Sequence, residues 1–124
     1  RAMGGIAIHS CGNWTATMPS IKQYVPSCIA IDCAIDKSND PNPNPPKQVR
    51  DAFAGSGIAV QVRLTGETDV LLETMGSLLH PDLRVIVWPS SPDIATAERN
   101  YDVLNSCLSE FYKKSSNAFS HLNC

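Results

Sequence analysis

Four short apolar runs, separated by stretches of helical periodicity, constrain the fold more than any other feature of this sequence. GIAIHS (5–10) alternates weakly. PSCIAIDCAID (26–36) carries Ile29, Ile31 and Ile35. IAVQVRL (58–64) sets Val60 and Val62 against Gln61 and Arg63, and LRVIVW (83–88) is apolar almost throughout. Runs of this length with period-two alternation are strands, and the continuously apolar last one is expected at the centre of a sheet.

The intervening stretches read as helices. SIKQYV follows a proline and is stopped by Pro26. PKQVRDAFAGSG puts Val49, Ala52 and Phe53 on one face and ends in glycine. ETDVLLETMGSLLH carries Leu71, Met75 and Leu78 as one stripe, joined by Leu72 and Leu79, with Thr65 or Thr68 as cap and Pro81 as stop. The longest, 90–114, takes Ser91 as cap and Pro92 at its first position, and Asp93 complements its dipole. Its core stripe is Ile94, Ala97, Tyr101, Leu104, Leu108 and Phe111. KSNDPNPNPP, with its prolines, is an extended surface loop, and the tail SSNAFSHLNC reads as irregular.

This alternation predicts an α/β sandwich, a sheet of about four strands packed by three to four helices. Two arrangements stay open: a parallel or mixed sheet in three layers, or a ferredoxin-like two-layer α+β fold. The opening RAMG, 1–4, has the look of a cloning remnant, which leaves 5–124 as a single α/β domain.

Composition narrows the function classes. At 43% hydrophobic and 18% charged the chain is globular. Its net charge is -2 and its basic residues are scattered, which argues against nucleic acid as a partner. No apolar run is long enough to span a membrane. The five cysteines, Cys11, Cys28, Cys33, Cys107 and Cys124, form no CxxC and no Cys/His cluster with zinc spacing, so neither a metal nor a cofactor is expected. With the sequon Asn13-Trp14-Thr15, a glycosylation candidate at Asn13, they point to an oxidising compartment and a secreted protein.

Alternation along 28–36 sends Cys28 and Cys33 to opposite faces, about 16 Å apart, too far for the roughly 4.4–6.8 Å of a disulfide. Each needs another partner or none. The sequence does not fix the pairing. The arrangement favoured here joins Cys28 to Cys107 and Cys11 to Cys124, and leaves Cys33 as a buried free thiol.

Candidate chemistry is sparse. Asp32 and Asp36 lie ~13 Å apart along a strand, too far for a glycosidase pair, and read as solvent or cap contacts. Asp36, at the carboxyl end of its strand, keeps a functional alternative. His9 and Cys11 are two residues apart. A thiol–imidazole nucleophile needs them in contact with a third, orienting group. The plainer reading is a half-exposed histidine beside a disulfide. His80 reads as a dipole partner at a helix end, and His121 falls in the tail. No phosphate loop and no GxSxG elbow occurs. Trp88 continues an apolar strand into the core, while Trp14, in a loop, is the candidate for an exposed contact.

The C-terminal NSCLSEFYKKSSNAFSHLNC places one cysteine late on a long helix and closes on a second after a Ser/Asn-rich segment. Over about its last thirty residues the chain resembles virus-encoded fungal killer-toxin subunits and the small secreted effectors similar to them. That resemblance implies a compact α/β sandwich with no cofactor and no catalytic site. It implies Cys107 and Cys124 as disulfide cysteines, and a host or target-cell protein or surface component as partner. The sparse, odd cysteine set and the Pro-Asn loop depart from that family.

Three functions follow as expectations. The first is a secreted, disulfide-stabilised binding or effector protein without catalysis, recognising its partner through the 11–18 and 37–46 loops. The second is a small α/β enzyme, or part of one, with a site at the strand ends built on Asp32, Asp36 or Cys11. The third is an interaction domain of a larger extracellular protein.

Overall fold

The computed structural model describes residues 4–120, with side chains described through residue 116. Its strands are β1 (Ile6–Ser10), β2 (Cys28–Ala34), β3 (Ala59–Thr65) and β4 (Arg84–Ser90). Its helices are α1 (Ile21–Tyr24, entered through a 3-10 turn at Met18–Ser20), α2 (Pro46–Phe53), α3 (Thr68–Leu78) and α4 (Ile94–Ser120). The strands form one sheet in the order β1-β2-β3-β4, and every pairing is parallel. The fold is an α/β sandwich. The antiparallel arrangement is excluded, because each strand returns through a helix rather than a hairpin.

One core serves the whole molecule. Ile31, Cys33, Val60, Val62 and Leu64 of the inner strands meet Val49 and Phe53 of α2, Leu71, Met75 and Leu78 of α3, and Leu104 of α4. These residues lie on one face of the sheet, so the helices do too. The other face carries His9, Asp32, Gln61, Arg63, Ile86 and Trp88, and no described element covers it.

Several expectations change. β4 is an edge strand, not the central one, and Trp88 is 55% exposed rather than buried. Its neighbours Val85 and Val87 face the helices, so a strand apolar on both faces is covered on one. In α4, Ile94 and Tyr101 point outward, and the buried line runs through Asn100 and Leu104. Asn100 goes inside because its amide finds partners there: it accepts from Thr68 Oγ1 at 3.0 Å and donates toward Ser91 Oγ and the Gly66 carbonyl. Asp93, not Ser91, caps α4, accepting from the Thr96 amide at 2.8 Å. The Ser115 and Ser116 hydroxyls donate to the Phe111 and Tyr112 carbonyls and travel with the helix, so the stretch expected to be irregular is helical as far as Ser120. Leu72 lies at the surface of α3.

β2 departs from strict alternation at its start. Ile6 pairs with Cys28 but Ala7 pairs with Ala30, so Ile29 is an extra residue. The bulge turns Cys28 inward, onto the same side as Cys33, and leaves Ile29 56% exposed. Ile29 then lies over Gly5: a Cβ built there would sit 2.5 Å from Ile29 Cγ2. Gly5→Ala is therefore expected to lower stability by about 1 kcal/mol, and Ile29→Ala in the same chain to restore it, read as urea midpoints.

All four described cysteines are free. The expected Cys28–Cys107 bridge is absent for a topological reason. α4 rests on β4 and α3, whereas Cys28 lies on β2, with β3 between, and its thiol faces the Ala30 carbonyl at 3.3 Å. Cys33 is buried and free. Cys124 and His121 lie outside the described residues, and with them the Cys11–Cys124 pairing.

Candidate functional site at the carboxyl edge of the sheet

Parallel strands end together, and the loops that follow β1 and β2 meet at that end. The 11–18 and 37–46 loops are held as one surface by buried amide chemistry. Asn44 is fully buried. Its Nδ2 donates to the Gly12 carbonyl at 3.0 Å and the Ala34 carbonyl at 2.9 Å, and its Oδ1 accepts from the Trp14 amide at 2.8 Å. Asp40 accepts from the Gly12 amide at 2.7 Å and from the Asn42 amide, and these two N–H groups hold its carboxyl below the usual range. Asn13 Nδ2 donates to the Pro43 carbonyl.

These bonds reassign two expected residues. Trp14 is half-buried against the core and anchors its loop, with its indole N–H buried, and is not an exposed contact. Asp36 is an organiser of its own loop. It accepts from the Ser38 and Asn39 amides and from the Thr65 amide on the next strand, which spends its carboxylate on backbone.

Below the loops lies a cavity of about 160 Å³, lined by His9, Cys11, Asp32, Cys33, Asp40 and Arg63 among others. His9 and Asp32 are paired across β1 and β2 by register, so their side chains stand beside each other on the open face. His9 Nδ1 lies 3.0 Å from Asp32 Oδ2. Cys11, just past the end of β1, brings its Sγ to 3.6 Å from the other ring nitrogen, Nε2. Arg63 of β3 reaches Asp32 Oδ2 at 3.8 Å. Thiol, imidazole and carboxylate thus follow one another in the order of a nucleophilic triad.

The cavity's second cysteine is of a different kind. Burial, and then the neighbouring Asp32 charge, push the Cys33 thiol up to about 12, so it stays protonated and inert. Cys11 is exposed and beside a base. No family model matches the chain, and no match is found among curated proteins or solved structures. The assignment therefore rests on the geometry.

The sequence brought out Cys11 and His9 as neighbours but not their contact, and it passed over Asp32 as their third member. The signal was non-local: it is the register that sets His9 opposite Asp32, and periodicity within one strand does not carry it. His80 lies apart from the site, in the turn before β4, where its Nδ1 accepts from the Asp82 amide at 3.1 Å. Among the described residues no group of three or more His, Cys, Asp and Glu side chains is arranged to hold a metal ion.

Proposed function

We infer that the chain carries a thiol-dependent small-molecule site, in which Cys11 is the nucleophile, His9 its base and Asp32 the group that orients the base. One observation carries this reading: a single imidazole bridges a carboxylate at 3.0 Å and an exposed thiol at 3.6 Å, inside a cavity at the carboxyl ends of parallel strands. Asp32 accepts the Nδ1 proton and so leaves Nε2 free to accept the thiol proton. The thiolate then attacks an electrophilic carbon, an acyl carbon being the simplest case. The imidazolium, stabilised by Asp32, returns its proton to the leaving group. The Arg63 guanidinium supplies positive charge for an anionic substituent or a developing oxyanion. A cavity of this size suits a molecule on the order of benzene in bulk.

The test is peptide-mapped alkylation of the native protein with iodoacetamide. Cys11 is expected to react about 10-fold faster than Cys107, which is half-buried on α4, while Cys28 and Cys33 stay unmodified. Exposure alone separates Cys11 from Cys107, so His9→Ala decides. It is expected to slow Cys11 while leaving Cys107 unchanged, and a Cys11 rate indifferent to His9→Ala sinks the reading.

The secreted, disulfide-stabilised binder is the competing proposal. Its support is the sequon, with Asn13 exposed, and the joined loop surface. Bridged cysteines in native protein, counted by mass after alkylation with and without reduction, would return it to the front. An interaction domain of a larger extracellular protein would use the same loop surface.

A further inference from the structure

Four parallel strands in the order β1-β2-β3-β4, with their helices on one face, are what right-handed crossovers between successive neighbours produce. The same arrangement makes up one half of an eight-stranded (βα)8 barrel. Parallel sheets are normally covered on both faces. Here one face is open, and it is apolar where exposure is costliest: Ile86 is 44% and Trp88 55% exposed on β4. Among the described residues both edge strands, β1 and β4, also present unpaired peptide groups.

We propose that a second copy of this chain closes the open face. A two-fold axis along the barrel axis sets β4 of each copy beside β1 of the other, in the same parallel sense as the pairings within the chain. Both edges are then satisfied at once, and eight strands are the number whose interior side chains can fill. Ile86 and Trp88 then become interior, which covers the apolar middle of β4 on its second side, while Arg63 beside Trp88 and Arg84 at the amino end of the same face turn toward the two mouths of the barrel, where water reaches them. Three strands of seven residues and the five-residue β1, ~4.8 Å apart and rising ~3.3 Å per residue, present a face of roughly 410 Å² in projection per copy. Corrugation and two edge ladders raise this toward the about 800 Å² per partner of a standard interface. The two carboxyl-edge cavities would open on one common mouth. The inference stands on topology and exposure, not on the chemistry of Cys11.

Mass in solution tests it. Light scattering on the native protein is expected to give twice the 13.4 kDa of the chain. Ile86→Glu is expected to return one copy, with helix and strand content unchanged, because Ile86 lies outside the single-chain core. Trp88→Glu, at a still more exposed position, is the second variant should the first fail to fold. Trp88 emission, taken as the difference between native protein and Trp88→Phe, is expected at short wavelength in the dimer. A chain that stays at 13.4 kDa up to about 1 mM overturns the proposal, since no useful affinity is weaker. So does a dimer that survives both substitutions with Trp88 still in water, because its interface then lies elsewhere.

Discussion

Asn44→Ala is expected to cost about 4 kcal/mol and to release both loops of the site together. The residue is 0% exposed and meets three backbone groups, the Trp14 amide and the Gly12 and Ala34 carbonyls. Alanine orphans all three, and each buried unpaired group costs about 1–3 kcal/mol, less where water enters the space. The loss shows as a fall in the urea midpoint. It also shows as faster hydrogen exchange at the Trp14 and Gly12 amides, which Asn44 and Asp40 otherwise protect. Asn44→Asp keeps the acceptor for Trp14 but turns a carboxylate oxygen on the Gly12 and Ala34 carbonyls in a buried site, and is expected to cost at least as much as alanine. A loss below about 1 kcal/mol for alanine would mean that the loops hold themselves.

Raising pH is expected to destabilise the fold through Cys33. Burial lifts its thiol from 9.0 to about 12, so above pH 9 the unfolded chain releases a proton that the native chain keeps. Stability is therefore fully present below pH 9 and is lost as pH rises toward 12. At 1.36 kcal/mol per unit the loss reaches about 4 kcal/mol. Tyr112, whose hydroxyl donates to the Leu83 carbonyl at 2.7 Å, is also shifted up by burial and adds to the alkaline loss. Cys33→Ala separates the two. It is expected to be weaker than native protein at pH 7, from the cavity it leaves, but to lose less between pH 9 and pH 11, retaining only the Tyr112 part. Identical alkaline slopes would show that Cys33 ionises without unfolding.

What the sequence revealed follows from what is local. β3 and the buried stripe of α3 are legible because Val60, Val62, Leu71, Met75 and Leu78 repeat at the strand and helix periods. The inward turn of Cys28 is not, because it depends on one extra residue opposite β1. Nor is the edge position of β4, since an apolar strand reads alike whether the protein or a partner covers it. On α4 the stripe holds at Leu104, Leu108 and Phe111 but fails at Ile94 and Tyr101, which face outward, and the buried polar Asn100 gave no hydrophobic signal at all. The site divides the same way. Cys11 and His9 are two residues apart and visible as a pair. Asp32 joins them only through register, and Asn44 supports them from the far side of a proline-rich loop that composition describes merely as irregular.

The central claim is that Asp32 holds one nitrogen of His9 and leaves the other for Cys11. Long-range ¹⁵N–¹H correlation on the ring of His9, at a pH where it is neutral, tests it directly. The account requires the proton on Nδ1, donated to Asp32, with Nε2 carrying the lone pair that faces Cys11 Sγ. A ring protonated at Nε2 instead would contradict it, because His9 could then not accept the thiol proton through that atom.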